Sequence, residues 1–324
     1  MSTEQDWQVA ESAQPDPSDY SYDLDRALSA MVSVRSTVPN DAFTADILGT
    51  ERAGNGVLIR ADGVVLTIGY LVTEAETVWL GLHDGRSIPG HVLGYDQTTG
   101  FGLVQALARV DLPTLDIGSS TDLEPGTPIV LAGAGGRAQS LAGRVLGKQE
   151  FAGYWEYLLD EAIFTAPAHP QWGGAGLIGP DGTLRGIGSL RLEQSDNEVD
   201  KQLNMIVPID LLSPILDDML TLGRPNKPPR PWLGLYAVEV DDQVVVAGTA
   251  DGAPAEASGL ENGDVIVAVA GTRVDDLASF FRKMWSLGAA GVDVPLTVYH
   301  DGQMVDMTIT SGDRNAYLKA PRLH

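Results

Sequence analysis

Residues 54–67 read Gly-Asn-Gly-Val-Leu-Ile-Arg-Ala-Asp-Gly-Val-Val-Leu-Thr. Two apolar runs flank the dipeptide Asp62-Gly63, and this arrangement is the sequence pattern of a tight β-hairpin. Similar short apolar runs continue to about residue 210, separated by turn dipeptides at Asp84-Gly85, Pro125-Gly126 and Asp181-Gly182. This pattern predicts an all-β domain made of closed antiparallel barrels.

The length and charge of the chain limit its class. Its 324 residues are enough for two domains, because single hydrophobic cores stop growing at roughly 250–300 residues. The formal net charge of -23 disfavours binding to nucleic acid or to anionic membrane surfaces. The chain has no cysteine, which excludes thiolate chemistry, and its scattered histidines lack metal-ligand spacing. We therefore expect neither a metal nor a cofactor.

The N-terminal residues 1–22 are polar and acidic, and Pro15 and Pro17 interrupt any helix. They predict a flexible acidic arm. A short amphipathic helix is expected to follow from Leu24 to Met31. The N-terminus lacks a basic region followed by an apolar run, and no stretch reaches the roughly 18 apolar residues of a membrane span. These observations predict a cytoplasmic protein.

The domain boundary is expected near residue 223. A helix is predicted to begin at Pro214, after a cap at Ser213, and to end at Gly223. Residues 223–231 contain four prolines and read as a semi-rigid linker between a first domain, 23–222, and a second, 232–312. The second part mixes apolar strands with a helix over 275–287, which predicts a small α+β domain followed by a tail, 313–324.

Three segments of the first domain resemble the HtrA family of trypsin-like serine proteases. They are Gly54–Thr67, Asp84–Asp96 and Ala166–Ile178. The resemblance implies a trypsin-like double β-barrel, so the fold class is mostly β.

The same alignment implies that catalysis has been lost. The family's catalytic histidine, aspartate and serine fall on Tyr70, Gly100 and Gly173, and the glycine of its oxyanion loop falls on Gln171. Glycine supplies no side chain, and a phenol with a pKa near 10 is a poor base at neutral pH. The chain is therefore expected not to be an enzyme. An alignment slip is the alternative, but His169, without a serine nearby, reads as a residue that hydrogen-bonds within its loop.

The C-terminal part resembles a PDZ domain, in the segments Arg230–Leu235 and Ala253–Val274. This resemblance implies that the backbone amides of Leu233, Gly234 and Leu235 bind the C-terminal carboxylate of a peptide, which pairs with the strand beginning at Leu235. Phe281 and Met284 are predicted to shape the apolar pocket for that peptide. The alternative is a PDZ fold that serves only as an internal packing module.

Three functions fit these features. The first is a pseudoprotease scaffold that binds a protein or peptide partner through its PDZ groove. The second is an accessory subunit assembled with a catalytic partner. The resemblance to the HtrA family also implies a homotrimer, formed through Tyr20, Tyr22 and the first helix. The third is a hydrolase with a relocated nucleophile. Candidate serines for it are Ser119, Ser120 and Ser189.

Overall fold

A computed structural model describes residues 7–196 and 199–320. The chain divides into two compact units. The first comprises the chain up to Gln149, Glu161–Asn226 and the chain from Lys319, and the second comprises Glu150–Asp160 and Lys227–Leu318. The predicted architecture, mostly β with barrel sheets followed by a small α+β domain, is confirmed.

The first barrel contains the hairpin around Asp62-Gly63. Its strands are β1 (Met31–Thr37), β2 (Glu51–Leu58), β3 (Val64–Ile68), β4 (Thr77–Gly81), β5 (Ser87–Tyr95) and β6 (Phe101–Ala106). They close in the order β1-β2-β3-β6-β5-β4. Gly56 pairs with Thr67 and Leu58 with Val65, which confirms the predicted hairpin. All five residues of β3 are buried, and all but Thr67 are apolar, so this strand reads as a nearly continuous apolar run rather than an alternating one.

The second barrel belongs to the same unit. Its strands are β7 (Pro128–Ala132), β8 (Ser140–Gly153), β9 (Tyr157–Ala166), β10 (Gly176–Ile178), β11 (Leu184–Asp196) and β12 (Val199–Pro208). They close in the order β10-β11-β12-β9-β8-β7. Ile129, Leu177 and Ile206 lie in its apolar core.

The helices of the first unit are α1 (Leu24–Leu28), α2 (Ala45–Leu48) and α3 (Leu216–Leu222). The two that were predicted, α1 and α3, are shorter than expected, and α2 was not predicted. Met31, expected at the end of the first helix, instead opens β1, where it pairs with Val57. Helix α3 starts two residues after Pro214 and ends, as predicted, at Gly223, whose φ of +72° favours glycine.

The N-terminal segment differs from the predicted flexible arm. From Trp7 onward it packs on the first unit: the Val9 N–H donates to the Ala138 carbonyl oxygen at 2.9 Å, and Val9 is buried. The Trp7 ring meets the His169 ring edge-on, with centroids 5.4 Å apart. Trp7 and Val9 anchor a segment whose average composition is polar. The prediction relied on that average and so missed these two apolar side chains. Residues 1–6 lie outside the described part of the chain.

The second unit is a single sheet with two helices. Its strands are β13 (Leu235–Val240), β14 (Gln243–Thr249), β15 (Val265–Val269), β16 (Thr272–Arg273), β17 (Asp293–His300) and β18 (Gln303–Thr310), and its helices are α4 (Pro254–Ala257) and α5 (Leu277–Trp285). The sheet order is β13-β14-β15-β17-β18, with β16 beside β15, so β13 is an edge strand. Asp276 caps α5 by accepting from the Ser279 N–H at 2.6 Å.

The outer end of the β8–β9 hairpin also belongs to the second unit. Glu150–Asp160 groups with residues 227–318, whereas the sequence placed all of 23–222 in the first domain. Leu158 is buried in the same apolar cluster as Leu235 and Phe281. The domain prediction differs here because the end of this hairpin packs with residues of the second unit. The boundary at Lys227 falls inside the predicted linker.

If Leu158 belongs to the second unit's core, Leu158→Ala should lower that unit's free energy of unfolding by about 2–5 kcal/mol, through lost burial and a cavity. Leu146→Ala is the matched control, because Leu146 lies on β8 and is half-exposed. Hydrogen exchange of the β15 amides measures the effect. Equal exchange rates in the two variants would contradict the assignment of the hairpin end to this core.

Candidate functional site

The three positions that align with the protease triad lie together. Tyr70 lies in the helical turn Gly69–Leu71 after β3, Gly100 precedes β6, and Gly173 precedes β10. The Gly69 N–H donates to the Gly100 carbonyl oxygen at 2.6 Å. A Cβ atom built on Gly173 would lie 2.8 Å from the Tyr70 hydroxyl oxygen. The structure thus brings the predicted positions into one site.

Tyr70 fills this site with a neutral phenol. Its hydroxyl donates a hydrogen bond to the Ser189 carbonyl oxygen at 2.9 Å. Burial raises the pKa of the Tyr70 phenol above its ordinary value, because a charged phenolate is poorly solvated inside a protein. Gly100 and Gly173 contribute only backbone atoms, so these three positions supply no imidazole, no carboxylate and no serine hydroxyl.

At the oxyanion-loop position, the backbone amide of Gln171 already has a hydrogen-bond acceptor within the chain. The Gln171 N–H donates to His169 Nδ1 at 3.0 Å. His169 Nε2 lies 3.0 Å from the Gln139 carbonyl oxygen, which only accepts, so the proton of the neutral ring is on Nε2. Burial lowers the pKa of His169, which favours this neutral form. The Gln171 amide therefore points at an internal acceptor, and His169 is the loop hydrogen-bonding residue that the sequence indicated.

Asn55 anchors the same loop and was missed by sequence reasoning. Its backbone N–H donates to the Gly173 carbonyl oxygen at 2.8 Å, and its side-chain amide donates to the Gln171 carbonyl oxygen at 2.9 Å. A Cβ atom on Gly174 would lie 1.8 Å from the Asn55 carbonyl oxygen, and Gly174 has a φ of +74°. Only glycine fits this approach. The signal in the sequence is a polar amide between two glycines, Gly54 and Gly56, on a buried strand.

The candidate serines for a relocated nucleophile have other partners. The hydroxyls of Ser119 and Ser120 both donate to the Asp210 carboxylate, at 2.7 and 2.5 Å. Ser189 is buried, and its carbonyl oxygen accepts from Tyr70. Among residues 7–196 and 199–320, no histidine is hydrogen-bonded to a serine, and no cluster of acidic and histidine side chains could hold a metal ion.

The loop that was predicted to bind a peptide carboxylate already faces a carboxylate. The Leu233 N–H donates to the two oxygens of Glu156 at 3.1 and 3.2 Å, and the Leu235 N–H donates to Oε1 at 2.9 Å. Gly234 lies between them with a φ of +73°, and its amide also interacts with this carboxylate. The three predicted amides thus converge on Glu156.

Glu156 is held under strain and away from water. It is 5% exposed, and its φ of 58° is a left-handed conformation that costs a residue with a β-carbon about 1 kcal/mol. Burial raises the pKa of Glu156 to about 7, although the amides of Leu235, Leu233 and Gly234 and the charge of Arg314 act to lower it. Sequence reasoning missed this residue. Its signal is an acid enclosed by aromatic residues in Tyr-Trp-Glu-Tyr, 154–157.

Phe281 and Met284, predicted to shape a peptide pocket, are fully buried on α5. Both belong to the apolar cluster that includes Leu158 from the hairpin. Their role toward a peptide stays a prediction. In the structure they pack within the chain's own apolar cluster, together with Leu158.

Two known domain families match the chain. A trypsin-like peptidase domain matches residues 54–187, and a PDZ domain matches residues 231–310. A probable periplasmic serine endoprotease, DegP-like, of Halomonas elongata is 27% identical over 280 residues, covering 80% of this chain and 56% of that protein. Serine protease Do-like HtrA of Bacillus subtilis is 22% identical over 280 residues, covering 78% and 61%. The chain spans little more than half the length of these relatives.

Solved structures share the fold. HtrA-type protease AlgW with a tripeptide superposes with a TM-score of 0.54 at 21% identity, covering 95% of this chain and 99% of that chain. A serine endoprotease from Yersinia pestis gives a TM-score of 0.52 at 20% identity, covering 89% and 95%.

The expectation of a cytoplasmic protein is wrong by these comparisons, because relatives from Halomonas elongata, Chlamydia pneumoniae and Hahella chejuensis are all named periplasmic. That expectation rested on a missing leader pattern and a missing membrane span, and the absence of these patterns does not determine the compartment. Within the described ranges, no helix is long and apolar enough to cross a membrane. The chain is a relative of the HtrA and DegP serine endoproteases, built from a trypsin-like peptidase domain followed by a PDZ domain.

Proposed function

We propose that this chain is a non-catalytic HtrA-like protein that binds protein or peptide partners through its PDZ domain, as a scaffold or as a regulatory subunit of an assembly. The observation that carries this proposal is the contact at the former triad. The phenol of Tyr70 occupies the space in front of Gly173, where a nucleophile would have to stand. The names of the relatives support a periplasmic or secreted location.

The replacements at the triad positions depend on one another. A side chain at position 173 would begin 2.8 Å from the Tyr70 hydroxyl oxygen, which is closer than carbon and oxygen atoms normally pack. A serine therefore fits only if Tyr70 is exchanged or moves. At Gly100, φ is +83°, so an aspartate there would adopt a left-handed backbone at a cost of about 1 kcal/mol. These two constraints on the triad positions support the proposal that the protein is non-catalytic.

Peptide binding is supported by the PDZ domain itself and by relatives. HtrA-type protease AlgW has been solved with a tripeptide and with a decapeptide. In the present chain, β13 is an edge strand next to α5, which is the arrangement by which a sheet accepts an added peptide strand. Assembly as a homotrimer or with a catalytic partner is part of the proposal for the regulatory role.

The purified full-length chain should cleave neither casein nor an unfolded protein, and it should take no label from a fluorophosphonate, because that reagent needs an activated nucleophile. An active HtrA-type protease in the same assay is the control. The proposal fails if the chain shows activity that disappears in Ser119→Ala, Ser120→Ala or Ser189→Ala, since that result identifies a relocated nucleophile.

Restoring the triad alone should leave the chain a poor protease. In the variant Tyr70→His/Gly100→Asp/Gly173→Ser, the Gln171 amide still donates to His169, and loss of one oxyanion donor lowers kcat by roughly 100-fold or more. Adding Gln171→Gly should raise kcat above that of the triple variant. Peptide hydrolysis and thermal melts of both variants provide the measurement and its folding control. A triple variant as fast as an active relative would show that the loop was competent throughout.

A further inference from the structure

Two contacts in the second unit, one from a side chain and one from the main chain, resemble those of a bound peptide, although the atoms come from the chain itself. The Glu156 carboxylate accepts from the amides of Leu233 and Leu235. Two residues earlier in the chain, the Tyr154 carbonyl oxygen accepts from the Ala237 N–H at 3.0 Å. Ala237 lies on the edge strand β13. A bound peptide forms the same two kinds of contact, a carboxylate on the loop amides and a hydrogen bond to the edge strand.

The groove for a peptide lies between the edge strand β13 and the helix α5. Side chains of the hairpin end contact both of these elements. On the β13 side, the Tyr154 ring lies against the Tyr236 ring, with centroids 6.0 Å apart. On the α5 side, Arg282 forms ion pairs with Glu150, at 2.5 Å, and with Asp160. Because Glu150 and Asp160 bound the segment, this one guanidinium binds both of its ends.

Burial and backbone geometry indicate that the contact between the Glu156 carboxylate and the loop amides is a specific structural feature. Three backbone N–H groups that point into a buried loop need an acceptor, and Glu156 supplies it from an almost fully buried position. Its left-handed φ persists only because the surrounding contacts hold it there. Leu158 adds an apolar side chain to the cluster that contains Phe281 and Met284.

We infer that residues 150–160 are a resident internal ligand of the PDZ groove, with the Glu156 carboxylate standing where the C-terminal carboxylate of an outside peptide would bind. An outside peptide therefore reaches the loop amides only in molecules whose hairpin end has left the groove. This inference rests on the peptide-binding role proposed above. The ligand class it admits is a peptide with a free C-terminal carboxylate, which competes with the hairpin for the same three donors.

The apparent dissociation constant of such a peptide is its intrinsic value divided by the fraction of open molecules. Glu156→Ala removes the internal carboxylate and should tighten binding by about tenfold or more, because the open fraction rises. Glu161→Ala is the matched control: it is the same exchange on the same hairpin, at an exposed residue outside residues 150–160. Arg282→Glu provides a second route, since it keeps Glu156 and repels Glu150 and Asp160 at the exposed surface.

The experiment uses the full-length chain and a pool of randomised peptides with free C-terminal carboxylates, followed by fluorescence polarisation. The same pool with amidated termini tests the carboxylate, and hydrogen exchange of the Leu233 and Leu235 amides reports on the loop without any peptide. Glu156→Ala and Arg282→Glu should bind the free-carboxylate pool more tightly than the wild type, the amidated pool should bind none of them well, and both loop amides should exchange faster in Glu156→Ala.

Two outcomes overturn the inference and are distinguishable. If the wild type and Glu161→Ala bind the pool as tightly as Glu156→Ala and Arg282→Glu do, the groove is already open, and the proposed peptide-binding function stands without the internal ligand. If no variant binds either pool, the peptide-binding function fails, and the inference fails with it. Circular dichroism of each variant excludes unfolding as the cause, and Arg282→Glu keeps the test valid if Glu156→Ala does not fold.

Discussion

Buried backbone N–H groups need an acceptor, and in the loop Leu233–Leu235 that acceptor is a carboxylate from elsewhere in the chain. This requirement explains much of the second unit. It places Glu156 in a strained backbone conformation, it brings Leu158 into the apolar cluster, and it groups Glu150–Asp160 with the PDZ domain rather than with the barrel that the two hairpin strands help to close. A leucine or alanine at position 156 would leave the donors buried without a partner, at a cost of about 1–3 kcal/mol for each such group.

The site formed by Tyr70, Gly100 and Gly173 follows the same rule, that buried polar groups are paired. Tyr70 donates to Ser189, the Gln171 amide donates to His169, and the loop carbonyls accept from Asn55. These bonds hold the Tyr70 side chain and the loop from His169 to Gly173 in one arrangement.

Much of the fold could be predicted from the sequence, because it is encoded locally. The Asp62-Gly63 hairpin and the end of α3 at Gly223 both follow from turn chemistry and apolar periodicity. The gathering of Tyr70, Gly100 and Gly173 followed from a family alignment. What could not be predicted depends on distance along the chain: Glu156 binds an amide 79 residues away, and Asn55 binds a carbonyl group 116 residues away. No local pattern specifies such partners, and the ordering of Trp7 on His169 was hidden for the same reason.

The hairpin end is joined to the rest of the chain on both sides, which gives its carboxylate an effective concentration fixed by geometry. For short tethers such concentrations are on the order of millimolar, far above the amount of any single peptide in dilute solution. They also do not change with the abundance of the protein. A peptide that competes with this internal carboxylate must be present at a comparable concentration or must bind the loop amides more tightly. The covalent connection of residues 150–160 therefore sets the peptide concentration that is needed for binding.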